Sequence, residues 1–163
     1  MVVNGSTGSG KSTTVYRSGT PEVANIVACD KALTIALDNL NERYSYIENL
    51  SNIIKNTLSQ YKNIHINNTV NSIPHTINFS INGIKSIDVL KELEKYDIYV
   101  STKTSCCPIE TPSKLVYALT RDKNLSSSSI RLSLSHLTTV DEVNEFLSIF
   151  DIIYKEYEVN GKI

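Results

Sequence analysis

The amino-acid sequence predicts an α+β fold: a small, mostly antiparallel sheet covered by helices, with a long helix near the N-terminus. Three observations predict it. Residues 63–67 and 76–81 alternate apolar and polar side chains, the period-two signature of a half-buried strand. Longer stretches on either side repeat apolar residues at three- and four-residue steps, the period of an amphipathic helix. Helices and short strands mixed in this order argue an α+β layer.

Residues 1–20 are rich in Gly, Ser and Thr without sustained periodicity and are expected to form a loop or arm, ahead of a small α+β domain over 21–163. Pro21 opens a helix, at a position where its missing N–H costs nothing. Val23, Ile26, Val27, Leu33 and Leu37 recur at helical steps with alanines between them, so this helix is expected to pack closely against something. A second helix is expected over 41–60, with Tyr44, Ile47, Leu50, Ile54 and Leu58 on one face. The two alternating strands follow, separated by a loop at 71–74. Residues 86–95 read as a short helix with Ile87, Leu90 and Leu93 inward. A strand at 98–101 leads into an aperiodic loop, 102–112, then a helix at 113–121 and a strand at 128–133. The last helix begins at Thr139, which has capping-box spacing to Glu142, and Val143, Phe146, Leu147 and Phe150 form its buried stripe.

Composition narrows the function classes. The chain has 163 residues, 40% apolar and 20% charged, enough for one domain with a true core. Its formal charge of −1, from 16 basic and 17 acidic residues, gives no reason to expect nucleic acid or an anionic membrane as partner. No apolar run approaches the roughly 18 residues a membrane helix needs, and no secretory signal is visible, so the cytoplasm is the expected location. Three cysteines, two of them adjacent, do not make a disulfide framework, and no zinc-ligand spacing surrounds them. Cys29, inside an apolar helical stretch, fits a buried or idle thiol; Cys106 sits in an aperiodic loop with Lys103 nearby, a setting that keeps a thiol reactive. His65, His75 and His136 are scattered and read as structural or surface residues.

Gly5, Gly10, Lys11 and Ser12 satisfy the spacing of a nucleotide phosphate loop. That motif works between a buried strand and a helix, where backbone N–H groups cradle phosphates. Here only Met1, Val2 and Val3 stand where the strand should be, too few for a central one, and Gly19 and Pro21 interrupt any helix after Ser12. A nucleotide-binding module over 5–12 is therefore the alternative reading, and a small-residue loop is preferred.

Three ordered blocks carry a family resemblance. The first is Arg17-Ser18-Gly19-Thr20 followed by the alanine-rich helix. The second is Val100-Ser101-Thr102-Lys103-Thr104-Ser105-Cys106, preceded by Pro74 and the Asn78-x-Ser80 strand. The third is Ser129-Ile130-Arg131-Leu132-Ser133-Leu134 with the later Thr138-Thr139-Val140-Asp141-Glu142. Together they resemble the C-terminal part of cysteine desulfurases, pyridoxal-phosphate enzymes of the class V aminotransferase superfamily. The resemblance implies the C-terminal small domain of fold type I enzymes. It implies that Cys106, on a mobile loop, attacks the sulfur of cofactor-bound L-cysteine and keeps it as a persulfide, with Cys107 as a neighbouring thiol. It implies that Arg131 clamps the substrate carboxylate, work suited to a planar two-pronged cation. For Arg131 an ordinary strand salt bridge is the competing account. Thr20, with Gly19 beside it, would contact the cofactor phosphate in a family that forms homodimers. A sulfur-acceptor protein serving iron–sulfur cluster assembly or tRNA thiolation is the implied partner. The lysine that attaches pyridoxal phosphate lies upstream of these blocks in the family, so the chain is expected to be inactive alone.

Overall fold

The computed structural model describes residues 22–102 and 111–161. It divides into two compact units, Met1–Leu40 and Asn41–Ile163.

In the first unit the described structure is α1 (Val23–Asp38). Alanines at 24, 28, 32 and 36 supply helix propensity, since their side chains lose no rotamer freedom on ordering. Among the described residues none of this helix is buried, and Val23, Ile26, Val27, Leu33 and Leu37 are all more than half exposed. Cys29 is likewise exposed, so of the two readings, buried or idle, burial is not met. Helical periodicity marks an apolar stripe, but it does not say that the stripe is covered.

The second unit contains α2 (Leu40–Leu58, of which Leu40 closes the first unit), β1 (Ile64–Ile66), β2 (Thr76–Ile81) and α3 (Ser86–Glu94). It continues with α4 (Lys114–Thr120), α5 (Lys123–Ser127), β3 (Ser129–Ser133) and α6 (Val140–Val159). The strands form one antiparallel sheet in the order β1-β2-β3, so the expected α+β architecture is present. The register pairs Ile66 with Phe79, Phe79 with Ile130, and Asn78 with Arg131.

Because side chains alternate along a strand, this register sorts the sheet into two chemically different faces. Ile77, Phe79 and Ile81 of β2, with Ile130 and Leu132 of β3, join one buried core with α2, α3 and α6. Leu50, Ile54 and Leu58 come from α2, and Val143, Phe146, Phe150 and Ile153 from α6. Phe79 meets Phe150 edge-on, 5.7 Å between ring centres at 83°. The other face presents Thr76, Asn78 and Ser80 of β2 beside Ser129 and Arg131 of β3, and α5 covers part of it: Ser80 Oγ donates to the Leu125 carbonyl at 2.7 Å.

Local signals explain most boundaries. The Thr139 hydroxyl accepts from the Glu142 N–H at 3.2 Å, and the Glu142 carboxylate accepts from the Thr139 N–H at 2.7 Å, the reciprocal cap predicted from spacing. Such a cap stabilises a helix by about 1 kcal/mol. Three expectations need correction. The inward residues of α3 are Val89 and Leu93, with Ile87 and Leu90 only partly covered, so the buried stripe is rotated from the one inferred. Residues 98–101 do not form a strand; only Ser101 bridges to Arg131. Finally, α5 was not anticipated: the Asp122 carboxylate accepts from the N–H groups of Asn124 and Leu125 at 2.7 and 3.2 Å and starts a helix of polar residues that has no apolar period.

Candidate anion-binding site

The polar face of the sheet floors an open cavity of about 530 Å³. Asn67, Thr76, Asn78 and Arg131 line it from the sheet side. Leu115, Val116 and Leu119 of α4 give an apolar wall, and Ser113 and Lys114 stand at the start of that helix. Helix α4 is held there by its cap, the Ser113 hydroxyl accepting from the Val116 N–H, and by the Ser113 N–H donating to the Ser126 carbonyl at 2.7 Å. The described lining contains two cations, Arg131 and Lys114, and no carboxylate.

Arg131 is positioned by its backbone on both sides. It pairs with Asn78 across the sheet, and on its free edge its N–H donates to the Ser101 carbonyl at 2.6 Å while its carbonyl accepts from the Ser101 N–H at 3.0 Å. The guanidinium makes no ion pair with any described residue, and its Nε is buried without a hydrogen-bond partner among them. The strand salt bridge that competed with a ligand role for Arg131 is therefore not formed among the described residues. A buried N–H of a guanidinium left unpaired is costly, which leaves a place for an anion.

A polar network surrounds this row. Asn67, just past β1, continues the ladder through its N–H to the Asn78 carbonyl at 2.8 Å, and its side chain is 7% exposed. Its Nδ2 donates to Asn78 Oδ1 at 2.7 Å and to Ser80 Oγ at 2.8 Å. Ser129 Oγ donates to the same Asn78 Oδ1 at 3.1 Å. The Asn68 amide serves as a strand substitute where β1 ends: its Oδ1 accepts from the Asn78 N–H and its Nδ2 donates to the Thr76 carbonyl. Asn67 Oδ1 has no partner among the described residues.

Of the residues singled out from sequence, Arg131 stands in this cavity. Cys106, Cys107, Thr20 and Gly19 lie outside the described residues, as do Gly5, Gly10, Lys11 and Ser12 of the phosphate-loop pattern. Asn67 and Asn78 were missed as site residues. The available signal was their chemistry: asparagine is depleted in strands, so two of them in an alternating polar row mark a face with work other than solvation.

Among the described residues no group of three or more His, Cys, Asp or Glu could hold a metal ion, and no helix is long and apolar enough to cross a membrane. Pyridoxal phosphate needs an attachment lysine, an acid facing the pyridine nitrogen and a slot for its ring. The described lining offers neither an acid nor an aromatic face, and its one lysine, Lys114, is exposed at the mouth. These residues do not by themselves fit the cofactor, although they fit a small anion.

Comparison with known proteins places this geometry in a family. The sequence matches the Aminotransferase class-V family over residues 3–146, and the chain belongs to that family. That match takes in residues 5–12, which leaves the nucleotide-module reading without support. Among curated relatives, a NifS/IcsS protein homolog of Lactobacillus delbrueckii subsp. bulgaricus is 32% identical over 145 residues, 86% of this chain and 37% of that protein. Cysteine desulfurase IscS of Buchnera aphidicola is 32% identical over 130 residues, 78% of this chain and 32% of that protein. A solved NifS-like protein from Rickettsia africae superimposes with a TM-score of 0.68 at 29% identity, covering 85% of this chain and 36% of that one. The recognition made from the three sequence blocks is thus borne out, and the chain spans about a third of the length of these relatives.

Proposed function

We propose that this chain is the part of a cysteine desulfurase that holds the carboxylate of L-cysteine and receives its sulfur. Arg131 clamps the carboxylate in the cavity on the polar face of the sheet. The Cys106 thiolate attacks the sulfur of L-cysteine and keeps it as a persulfide as the substrate's Cβ–S bond breaks. The electron pair stays with the carbon skeleton, which leaves as alanine. The sulfur then passes to an acceptor protein that feeds iron–sulfur cluster assembly or tRNA thiolation. Thr20 and Gly19 would hold the phosphate of pyridoxal phosphate, which would supply an electron sink at the substrate's α-carbon. In the family the remainder of that site, including the attachment lysine, belongs to the large domain, and the working assembly is a dimer in the cytoplasm. The chain is inactive alone.

The observation that carries this reading is the Arg131 guanidinium: it lines a cavity whose described lining holds no carboxylate, and it is unpaired among the described residues. A fork of N–H donors in a partly dry site is suited to a carboxylate, because both charge and planar geometry match.

The test is to incubate the chain with L-cysteine and pyridoxal phosphate, alone and with a separately expressed large domain of the family. Sulfide release is expected only in the mixture. Alkylation followed by mass spectrometry should find the additional sulfur on Cys106, and Cys106→Ser should remove it. Arg131→Gln should lower kcat/KM by about tenfold or more, the scale of one charged hydrogen-bond pair. Sulfur on neither Cys106 nor Cys107 would overturn the relay role.

A further inference from the structure

The amide of Asn78 is held in one orientation. Its Oδ1 faces two donors, Asn67 Nδ2 at 2.7 Å and Ser129 Oγ at 3.1 Å. Turning the amide over would bring its NH2 against the NH2 of Asn67, so the network fixes which end is which. The Nδ2 end then has no hydrogen bond to any described residue, while Asn78 lines the cavity directly across the ladder from Arg131. Directly opposed residues of an antiparallel pair present their side chains on one face, about 5 Å apart at Cβ, a separation that two oxygens of one carboxylate can bridge through both side chains.

We propose that Asn78 is a second anion-binding residue of this site, donating from Nδ2 to the carboxylate that Arg131 clamps. Asn67 and Ser129 act through it, as positioning residues that hold the donor toward the ligand. The inference rests on the reading of Arg131 as a carboxylate clamp and adds the neutral donor that chooses among anions: a guanidinium alone accepts any, whereas a fixed amide N–H beside it favours a flat two-oxygen group presented along the strand pair. The isosteric change Asn78→Asp keeps an oxygen toward Asn67 and Ser129 and turns the donor into an acceptor, so it reverses the proposed contact with little change of shape.

The experiment titrates the full 163-residue chain, 15N-labelled and kept reduced near neutral pH, with L-cysteine and with L-cysteinamide, following amide shifts by NMR. These probes differ in the carboxylate and share the thiol and the amine. The wild-type chain should bind L-cysteine in preference to L-cysteinamide, and the Asn78 side-chain NH2 signals should move with saturation. Asn78→Ala should weaken L-cysteine binding about tenfold, the scale of one charge-assisted hydrogen bond, and leave L-cysteinamide unchanged. Asn78→Asp should abolish or invert the preference. Arg131→Gln should also remove it. If Arg131→Gln removes the preference while folded Asn78→Ala and Asn78→Asp keep it, the role of Asn78 is refuted and the clamp survives. A wild-type Asn78 NH2 that stays still at saturation refutes it without any variant. If Arg131→Gln keeps the preference, or the wild-type chain binds neither probe in the millimolar range, the clamp and the inference both fall.

Discussion

Replacing Asn67 by alanine tests the network on the polar face, and the structure sets how large the effect should be. The wild-type amide makes two hydrogen bonds through Nδ2, at 2.7 and 2.8 Å, and sits 7% exposed. Each such bond contributes about 1 kcal/mol net. Neither partner is orphaned by the change, because Asn78 Oδ1 keeps Ser129 and Ser80 Oγ keeps the Leu125 carbonyl. The substitution also removes Asn67 Oδ1, which is buried without a partner among the described residues, and so returns part of a desolvation penalty of roughly 1–3 kcal/mol. Asn67→Ala should therefore destabilise the chain by only about 1 kcal/mol, and the urea midpoint should fall by about 0.5 M at an unchanged slope. Asn67→Asp sets the contrast. Its carboxylate oxygen would face Asn78 Oδ1 in place of a donor, and the loss should exceed about 3 kcal/mol and shrink as the pH is lowered and the acid takes up a proton. Equal losses for the two variants would refute the donor assignment at Nδ2. A loss above about 3 kcal/mol for alanine would mean that the amide oxygen has a partner in solution.

Two further outcomes follow from the core and from Tyr61. Phe79→Ala, at a fully buried position whose ring packs edge-on against Phe150, should cost about 3–5 kcal/mol by urea unfolding; a loss under about 1 kcal/mol, the scale of an exposed site, would refute the sidedness of the sheet. The Tyr61 hydroxyl donates to Asp151 at 2.9 Å, and burial, reinforced by that bond and by the Asp151 charge, pushes its pKa up to about 12 from 10.0. A raised pKa means the unfolded chain ionises first, so this contribution is complete below pH 10 and is lost as the pH rises through about 12. Urea midpoints should decline over that window, and Tyr61→Phe should flatten the decline; burial of Tyr157 raises its pKa too, so a remainder is expected.

The sheet and the two long helices of the larger unit were legible because their signals are local and repeated. Residues 76–81 alternate without a break, and the Thr139–Glu142 cap is written in four residues. Short elements were less so. In a nine-residue helix such as α3, Ile87, Val89, Leu90 and Leu93 leave more than one stripe open, and contact with the core selects Val89 and Leu93. Helix α5 depends on a single carboxylate, Asp122, rather than on a period, and 98–101 has strand composition but finds only one partner, Arg131. The site divides in the same way. Arg131 was found through a motif, whereas Asn67 and Asn78 join the candidate site only once the register shows that they share a row with it.

The bridge between Ser101 and Arg131 has a consequence for the thiol at position 106. The backbone at 101 is bonded twice to that of Arg131, and Cys106 follows Ser101 by five residues in the sequence. Five residues of chain span at most about 16–18 Å, so covalent geometry alone keeps position 106 within that distance of Ser101. Each residue inserted between 101 and 106 raises that ceiling by about 3.3–3.6 Å, and each one removed lowers it by as much.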